Sequence, residues 1–368
     1  MKDNEELNRI HKQVGIWLIL CCITIFTIVV LGGATRLTGS GLSIPVMKVF
    51  KGVIPPMNQA EWKQAFNEYR STPEYKKTYE SSGMDIEAYK SIFWLEFLHR
   101  LVGRVLAGIV FFIPFLYFLI RYFFIRRVIA PSLVYKLILM FVLGGLQGLL
   151  GWVMVKSGMN IEYAFIQGHE VHVSPYRLTA HLGLAFLIYA YIVRVTLSIW
   201  PSKRPSMVDR STGPLKSFSW LLTGLLFLLI LSGGFVAGTQ GGLVYQSFPL
   251  MNGFVIPPDY FSLEPWYRNL FENRAAVQLD HRVLAFLVFF VTLVFWILAM
   301  RKPLAGRAKV LTHSLFLTVI LQVVLGVITL LTFVDKDTMT IFLATAHQAN
   351  ALVLFTLLLW LNFELKSD

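Results

Sequence analysis

Four histidines stand in matched surroundings: His99, His181, His281 and His347. Glu96-Phe-Leu-His99-Arg100 is echoed by Gln278-Leu-Asp-His281-Arg282, and Thr179-Ala-His181 by Thr345-Ala-His347. Each histidine lies in or beside the start of a long apolar run. An imidazole in such a run is costly unless it faces the interior and finds a partner. Imidazole nitrogen is a strong axial ligand for haem iron. Two parallel helices with histidines at similar depth can present them to opposite faces of one porphyrin. One haem per pair is therefore the chemistry this spacing suggests. Four hydrogen-bonded core histidines are the alternative; the regular recurrence favours ligation. Zinc wants three or four close ligands, and pairs on separate helices without a cysteine set suit it less.

The two pairs are not equivalent. Glu96 lies three residues before His99, on the same helical face, and its counterpart is Gln278, which cannot ionise. A carboxylate beside a haem pocket can serve as proton acceptor; pairing with a nearby arginine as structure is the alternative. Arg100 and Arg282 follow two of the histidines and suit haem propionates, or anchoring at the interface. His169-Glu170-Val171-His172 looks metal-like but is not HExxH; it reads as a solvated loop, or as a cover over the nearby outer site. His11 and His313 stand unpaired on the opposite side and receive no role.

The elements that must position these residues are membrane spans. The chain has 368 residues, 56% hydrophobic and 15% charged, well below the charged share of a soluble domain. The apolar runs are approximately Val14–Leu31, Ile92–Ile120, Val134–Val155, Tyr176–Ile199, Trp220–Val236, Ala276–Met300, Leu311–Leu331 and Ile341–Leu361. Each approaches or exceeds the roughly 20 residues that cross a bilayer as a helix. The predicted fold is an all-α membrane protein with eight transmembrane helices, and each even helix carries one histidine in its first turns.

The net charge of +12 is distributed as in a membrane protein rather than a nucleic-acid binder. Basic residues cluster in alternate short connections: Arg121, Arg126 and Arg127; Lys203, Arg204, Arg210 and Lys216; Arg301, Lys302, Arg307 and Lys309. By the positive-inside bias, both termini are cytoplasmic, and residues 34–91 and 239–274 lie outside with the four histidines. The N-terminus is neither a cleavable signal nor a transit peptide, so a bacterial cytoplasmic membrane is expected. The two cysteines, Cys21 and Cys22, are adjacent in the first run, which excludes a disulfide framework and a CxxCH attachment.

The chain also repeats internally. PVMKVFKGVIPP (45–56) matches PLMNGFVIPP (249–258), Gly32-Gly33 matches Gly233-Gly234, and Gln147-xxx-Gly151 matches Gln322-xxx-Gly326. With the histidine motifs these define two halves, 1–205 and 206–368. The expected architecture is two parallel four-helix bundles related by a pseudo-two-fold axis along the membrane normal.

The motifs GGATRLTGSGLSI (32–44), EFLHRLVGR (96–104), QGLLGWVMVKSGM (147–159), YRLTAHL (176–182), the PLMNG…IPP loop (249–258), FENRAAVQLDHR (271–282) and TAHQ (345–348) resemble the haem A synthase family over nearly the whole chain. The long first outer loop is similar to that of the mitochondrial and proteobacterial branch. Some members carry a cysteine pair in the outer loops; this sequence has none there. The resemblance implies oxidation of the C8 methyl of haem O to a formyl group, by two hydroxylations and loss of water, giving haem A for cytochrome oxidase. It implies that His99 and His181 hold the substrate haem, with Arg100 beside them. His281 and His347 would ligate a resident haem b near Arg282, and Glu96 would act at the methyl group. Water as oxygen source, an unidentified electron acceptor, a homo-oligomer and a haem O synthase (protohaem farnesyltransferase) partner are further implications.

A dihaem b-type cytochrome in quinone-linked electron transfer is the competing reading. Such bundles place two haems on opposite membrane sides with two histidines per helix, whereas here no span carries two candidate ligands. A transporter is favoured by the repeat alone, and it would place its site at the midplane.

Overall fold

Long apolar stretches bounded by helix-starting residues set the architecture. The computed structural model describes residues 2–45, 51–126, 128–160, 162, 165–167, 170–200, 213–304, 306–333 and 337–365. His169, residues 46–50 of the first loop and residues 203–212 of the basic connection lie outside these. Among the described residues, eight helices are long and apolar enough to cross a membrane. They are α1 (Lys2–Leu37), α2 (Ile86–Ile125), α3 (Pro131–Gly158), α4 (Pro175–Ile199), α5 (Gly213–Thr239), α6 (Arg274–Met300), α7 (Gly306–Thr332) and α8 (Thr338–Glu364).

Side chains that satisfy the first free N–H groups mark several helix starts. Asp85 accepts from Ala88 N–H at 2.8 Å before α2, Asn273 from Ala275 at 2.9 Å before α6, and Asp337 from Thr340 at 2.8 Å before α8. α3 and α4 begin on Pro131 and Pro175, where the missing N–H costs nothing. The chain turns after α1 on Gly39 (φ 69°) and after α5 on Gln240 (φ 55°), two equivalent positions of the repeat. α2 widens to π-type hydrogen bonding over Leu106–Phe112 and Leu119–Ile125.

All eight expected apolar runs lie within these helices, but the helices are longer. α1 reaches back to Lys2 and α2 out to Ile86. Polar turns beyond the bilayer carry no hydropathy signal. As a correction, His99 therefore sits well inside α2 rather than in its first turns.

α4 packs on α1, α5 and α8, and α8 also packs on α1 and α5. These four helices form the centre, around buried Leu18, Phe186, Leu222, Leu352 and Leu358. α2 lies against α1, α3 against α4, α6 against α5 and α7 against α8. Glycines let the backbones approach, as in membrane helix packing generally. A Cβ on Gly234 of α5 would stand 2.9 Å from Thr179 Oγ1 of α4, and one on Gly33 of α1 would come closer still to Gln348 of α8. Tyr189 Oη and Thr356 Oγ1, 2.9 Å apart, tie α4 to α8. Ser219, Asn362 and Thr223 form a buried chain between α5 and α8.

The repeat is uneven at its edges. α6 packs along α7, whereas their counterparts α2 and α3 touch through the Leu119–Ile125 end of α2 and through Phe112 and Phe115 on Phe141. On α3, Gly144, Gly145 and Gly148 have nothing within 4 Å of where a Cβ would stand; α7 has Val319, Ile320 and Val323 at those positions.

The connection between α1 and α2 carries the helix Gln59–Arg70 and, with the first turns of α2, an aromatic cluster of Tyr69, Tyr75, Tyr89, Phe93 and Phe97. Between α3 and α4, Phe165–Gln167 (β1) pairs antiparallel with Glu170–His172 (β2). The expected solvated loop is thus a hairpin: Val171 is buried, and its N–H donates to Thr78 Oγ1 at 3.4 Å. An apolar residue between polar neighbours in a two-residue period gives one buried face.

Candidate functional site

Every one of the four histidines packs against a glycine of the neighbouring helix. A Cβ built on Gly32 of α1 would come 2.9 Å from His99 Cε1 of α2. The corresponding distances are 2.8 Å from Gly151 (α3) to His181 (α4), 3.2 Å from Gly233 (α5) to His281 (α6), and 2.9 Å from Gly326 (α7) to His347 (α8). Only a residue without a side chain leaves room for the ring at such a distance. The repeated glycines of the sequence are therefore the floors on which the imidazoles lie. α2 and α4, which carry His99 and His181, both pack on α1, and α6 and α8, which carry His281 and His347, both pack on α5.

The polar groups behind the rings differ between halves. Ser232 Oγ lies 3.0 Å from His281 Nδ1; the equivalent residue before Gly32 is Leu31. His99 Nδ1 is buried with no side-chain hydrogen-bond partner among the described residues, the backbone of Ile28 being its polar neighbour. Gln322 Nε2 lies 3.2 and 3.1 Å from the two ring nitrogens of His347 and donates to its carbonyl at 3.1 Å. Asn350 Nδ2 fixes that amide by donating to Gln322 Oε1 at 2.7 Å. In the first half, Gln147 donates to the His181 carbonyl at 3.0 Å and stands 3.5 Å from its Nε2. Leu184 occupies the position of Asn350, and Gln147 Oε1 and His181 Nδ1 are left unpartnered.

Glu96 and Gln278 both clasp the loop that precedes their helix, with opposite polarity. Glu96 is 2% exposed. Its Oε2 accepts from Ser43 Oγ and Ile44 N–H, each at 2.7 Å, and its Oε1 pairs with Arg100. Gln278 instead donates to the Tyr245 carbonyl at 2.9 Å. Arg100 donates to the Ile44 carbonyl at 2.9 Å, and Arg282 to the Tyr245 and Ser247 carbonyls at 2.8 and 2.9 Å. Ile44 and Tyr245 are equivalent in the repeat. Both arginines thus staple a loop to a helix, and three donors converge on Glu96.

Sequence reasoning passed over Ser232, Asn350 and the contact role of the glycines. The signal available was the departure from the repeat at Leu31/Ser232 and Leu184/Asn350. It left His313 unpaired, whereas Trp296 Nε1 donates to its Nδ1 at 3.2 Å. The described residues contain no cluster of three or more histidine, cysteine or acidic side chains suited to a bare metal ion. The ring nitrogens fit haem: His281 has Nδ1 oriented by Ser232, and the Nδ1 atoms of His99 and His181 are buried with no side-chain partner among the described residues.

Eight apolar helices, four of them carrying a half-buried histidine on a glycine of the neighbouring helix, define a multi-pass membrane protein. The chain belongs to the COX15-CtaA family, whose model, described as Cytochrome oxidase assembly protein, matches residues 15–359. It is 46% identical to Heme A synthase of Nitrosospira multiformis over 97% of this chain and 94% of that protein. It is 45% identical to Heme A synthase of Nitrosomonas eutropha over 99% and 96% of the two chains. Heme A synthase COX15 of Arabidopsis thaliana is 39% identical over 97% of this chain and 75% of the plant protein.

Proposed function

We propose that the chain is a haem A synthase whose first half, residues 1–205, holds haem O for oxidation while its second half, residues 206–368, keeps a resident haem b. The substrate's C8 methyl becomes a formyl group by two hydroxylations and loss of water from the geminal diol. With water as oxygen source, one methyl and one water give one formyl, four protons and four electrons, so an electron acceptor is required.

The observation that carries this division is the set of groups behind the imidazoles. Partners that orient a metal-bound histidine typically change metal affinity or activity 10–100-fold. His281 and His347 have them, in Ser232 and in the Gln322–Asn350 pair. His99 and His181 face Leu31 and Leu184 at those positions. A permanent ligand set benefits from fixed rings; a site that must release its product benefits from looser ones. His99 and His181 would hold the substrate haem, and His281 and His347 the resident one. Bound haem b supplies one-electron redox chemistry.

Glu96 is the acidic group of the first half that Gln278 cannot replace, and it takes protons leaving the methyl carbon. Ser43, Ile44 and Arg100 position its carboxylate. The two halves would be parallel four-helix bundles about a pseudo-two-fold axis. The matched pairings of α1 with α8 and α5 with α4 support that arrangement. Both termini would be cytoplasmic, in a bacterial inner membrane, with both haem sites toward the outer face. A homo-oligomer, and haem O delivery from the protohaem farnesyltransferase, complete the reading.

Co-expression with a haem O synthase tests it. The native chain accumulates haem A; Glu96→Gln retains bound haem and forms none. A native chain that binds haem yet never yields an oxidised haem would instead be the dihaem cytochrome.

A further inference from the structure

Arg177 opens α4 one helical turn before His181, on the same face. Arginine side chains on a helix lean toward its N-terminus, here toward the outer end of the span. The guanidinium makes no hydrogen bond or ion pair with any described residue, and its Nη1 is shut off from solvent. A buried donor on a charged group left unmatched is expensive. Other arginines at this end of the molecule are engaged with backbone carbonyls: Arg36 with Gly238, Arg100 with Ile44, Arg104 with Gly52, Arg274 with Gln240 and Arg282 with Tyr245. The neighbouring carboxylate, Glu272, accepts from Tyr176 and Arg268.

The repeat sharpens this. The residue equivalent to Arg177 in α8, four before His347, is Leu343. The cation therefore exists only in the half read as the substrate site. One turn separates it from His181 by about 5.4 Å along the axis. An axial ligand and a group reaching the porphyrin edge need to stand apart in this way, since the haem carboxylates lie at the periphery of the ring.

We propose that Arg177 holds a propionate carboxylate of the substrate haem, closing its free N–H groups onto the anion as a fork. The proposal rests on the assignment of His181 to haem O. It gives the first half a polar grip where the second half uses fixed imidazoles. A carboxylate held only while haem O or haem A is bound retains a ligand that must also leave.

The test is a haem titration of the purified, full-length protein in nanodiscs, followed by difference absorption. Haem O and its propionate dimethyl ester are compared, with and without anionic phospholipid. Arg177→Leu should weaken haem O by about 10- to 100-fold and leave the ester at its native affinity. Arg177→Lys should recover part of the loss, and resident haem per chain should be unchanged in both variants. Equal weakening of haem O and ester would make Arg177 a packing residue and overturn the proposal. So would a change seen only with anionic phospholipid, which would assign the cation to a lipid phosphate. Unchanged haem O affinity in Arg177→Leu would overturn it too. A native chain that takes up no second haem at all would bring down the reading of the first half, and this proposal with it.

Discussion

Ser232 Oγ stands 3.0 Å from His281 Nδ1, while Leu31 fills the equivalent place beside His99. One hydroxyl thus distinguishes the surroundings of two matched imidazoles. Ser232→Ala should leave His281 in place but free its ring to turn. The expected outcome is roughly 10-fold weaker retention of haem b, read as haem per chain after extended washing in detergent. Retention equal to the native protein would show that the hydroxyl is not what fixes the ring.

The glycine floors make a graded prediction. Gly326→Ala and Gly151→Ala put a methyl 2.9 and 2.8 Å from the facing imidazoles, whereas Gly233→Ala leaves 3.2 Å. Overpacking of this kind costs about 1–3 kcal/mol. Gly326→Ala should therefore lose more resident haem than Gly233→Ala, measured as the pyridine haemochrome relative to protein. Gly151→Ala should spare that haem and lower haem A formation.

Glu96→Gln installs the amide of Gln278 in the first half. Loss of a positioned proton acceptor lowers turnover by about 10²–10⁴-fold. The variant should still load haem, because His99 and His181 are untouched. Pigment extraction after expression with a haem O synthase reads both quantities. Haem A at native levels would remove Glu96 from the chemistry.

Glu74, in the connection between α1 and α2, is buried and accepts from Tyr69 Oη at 3.1 Å. Burial, and then the nearby charge of Glu96, push its carboxyl up to about 8 from an ordinary 4.5. The folded protein thus favours the neutral acid. Stability from this group is fully present below pH 4.5 and is lost as pH rises through 8. Thermal midpoints between pH 5 and 9 should fall with pH in the native protein. In Glu74→Gln that component should be absent, a difference on the order of 5 kcal/mol at pH 9. Identical slopes would contradict it.

Much of this was legible in the sequence. Hydropathy reveals each span because lipid demands a continuous apolar surface, and the repeat sorted the four histidines and exposed Glu96 against Gln278. Periodicity along one helix does not say which helices abut. The glycine floors, the Ser232 contact and the Asn350–Gln322 pair depend on that, so they emerged only from the packing. Trp296 and His313 meet between α6 and α7 for the same reason. The outward extension of α2 and the buried Val171 hairpin escaped because short polar segments carry weak patterns.

The most direct measurement is the haem content of two single variants, purified side by side after expression without haem O. His281→Ala should lose the resident haem b, and His99→Ala should keep it at the native haem-to-protein ratio. Loss of haem b from His99→Ala with retention in His281→Ala would contradict the division of the two halves.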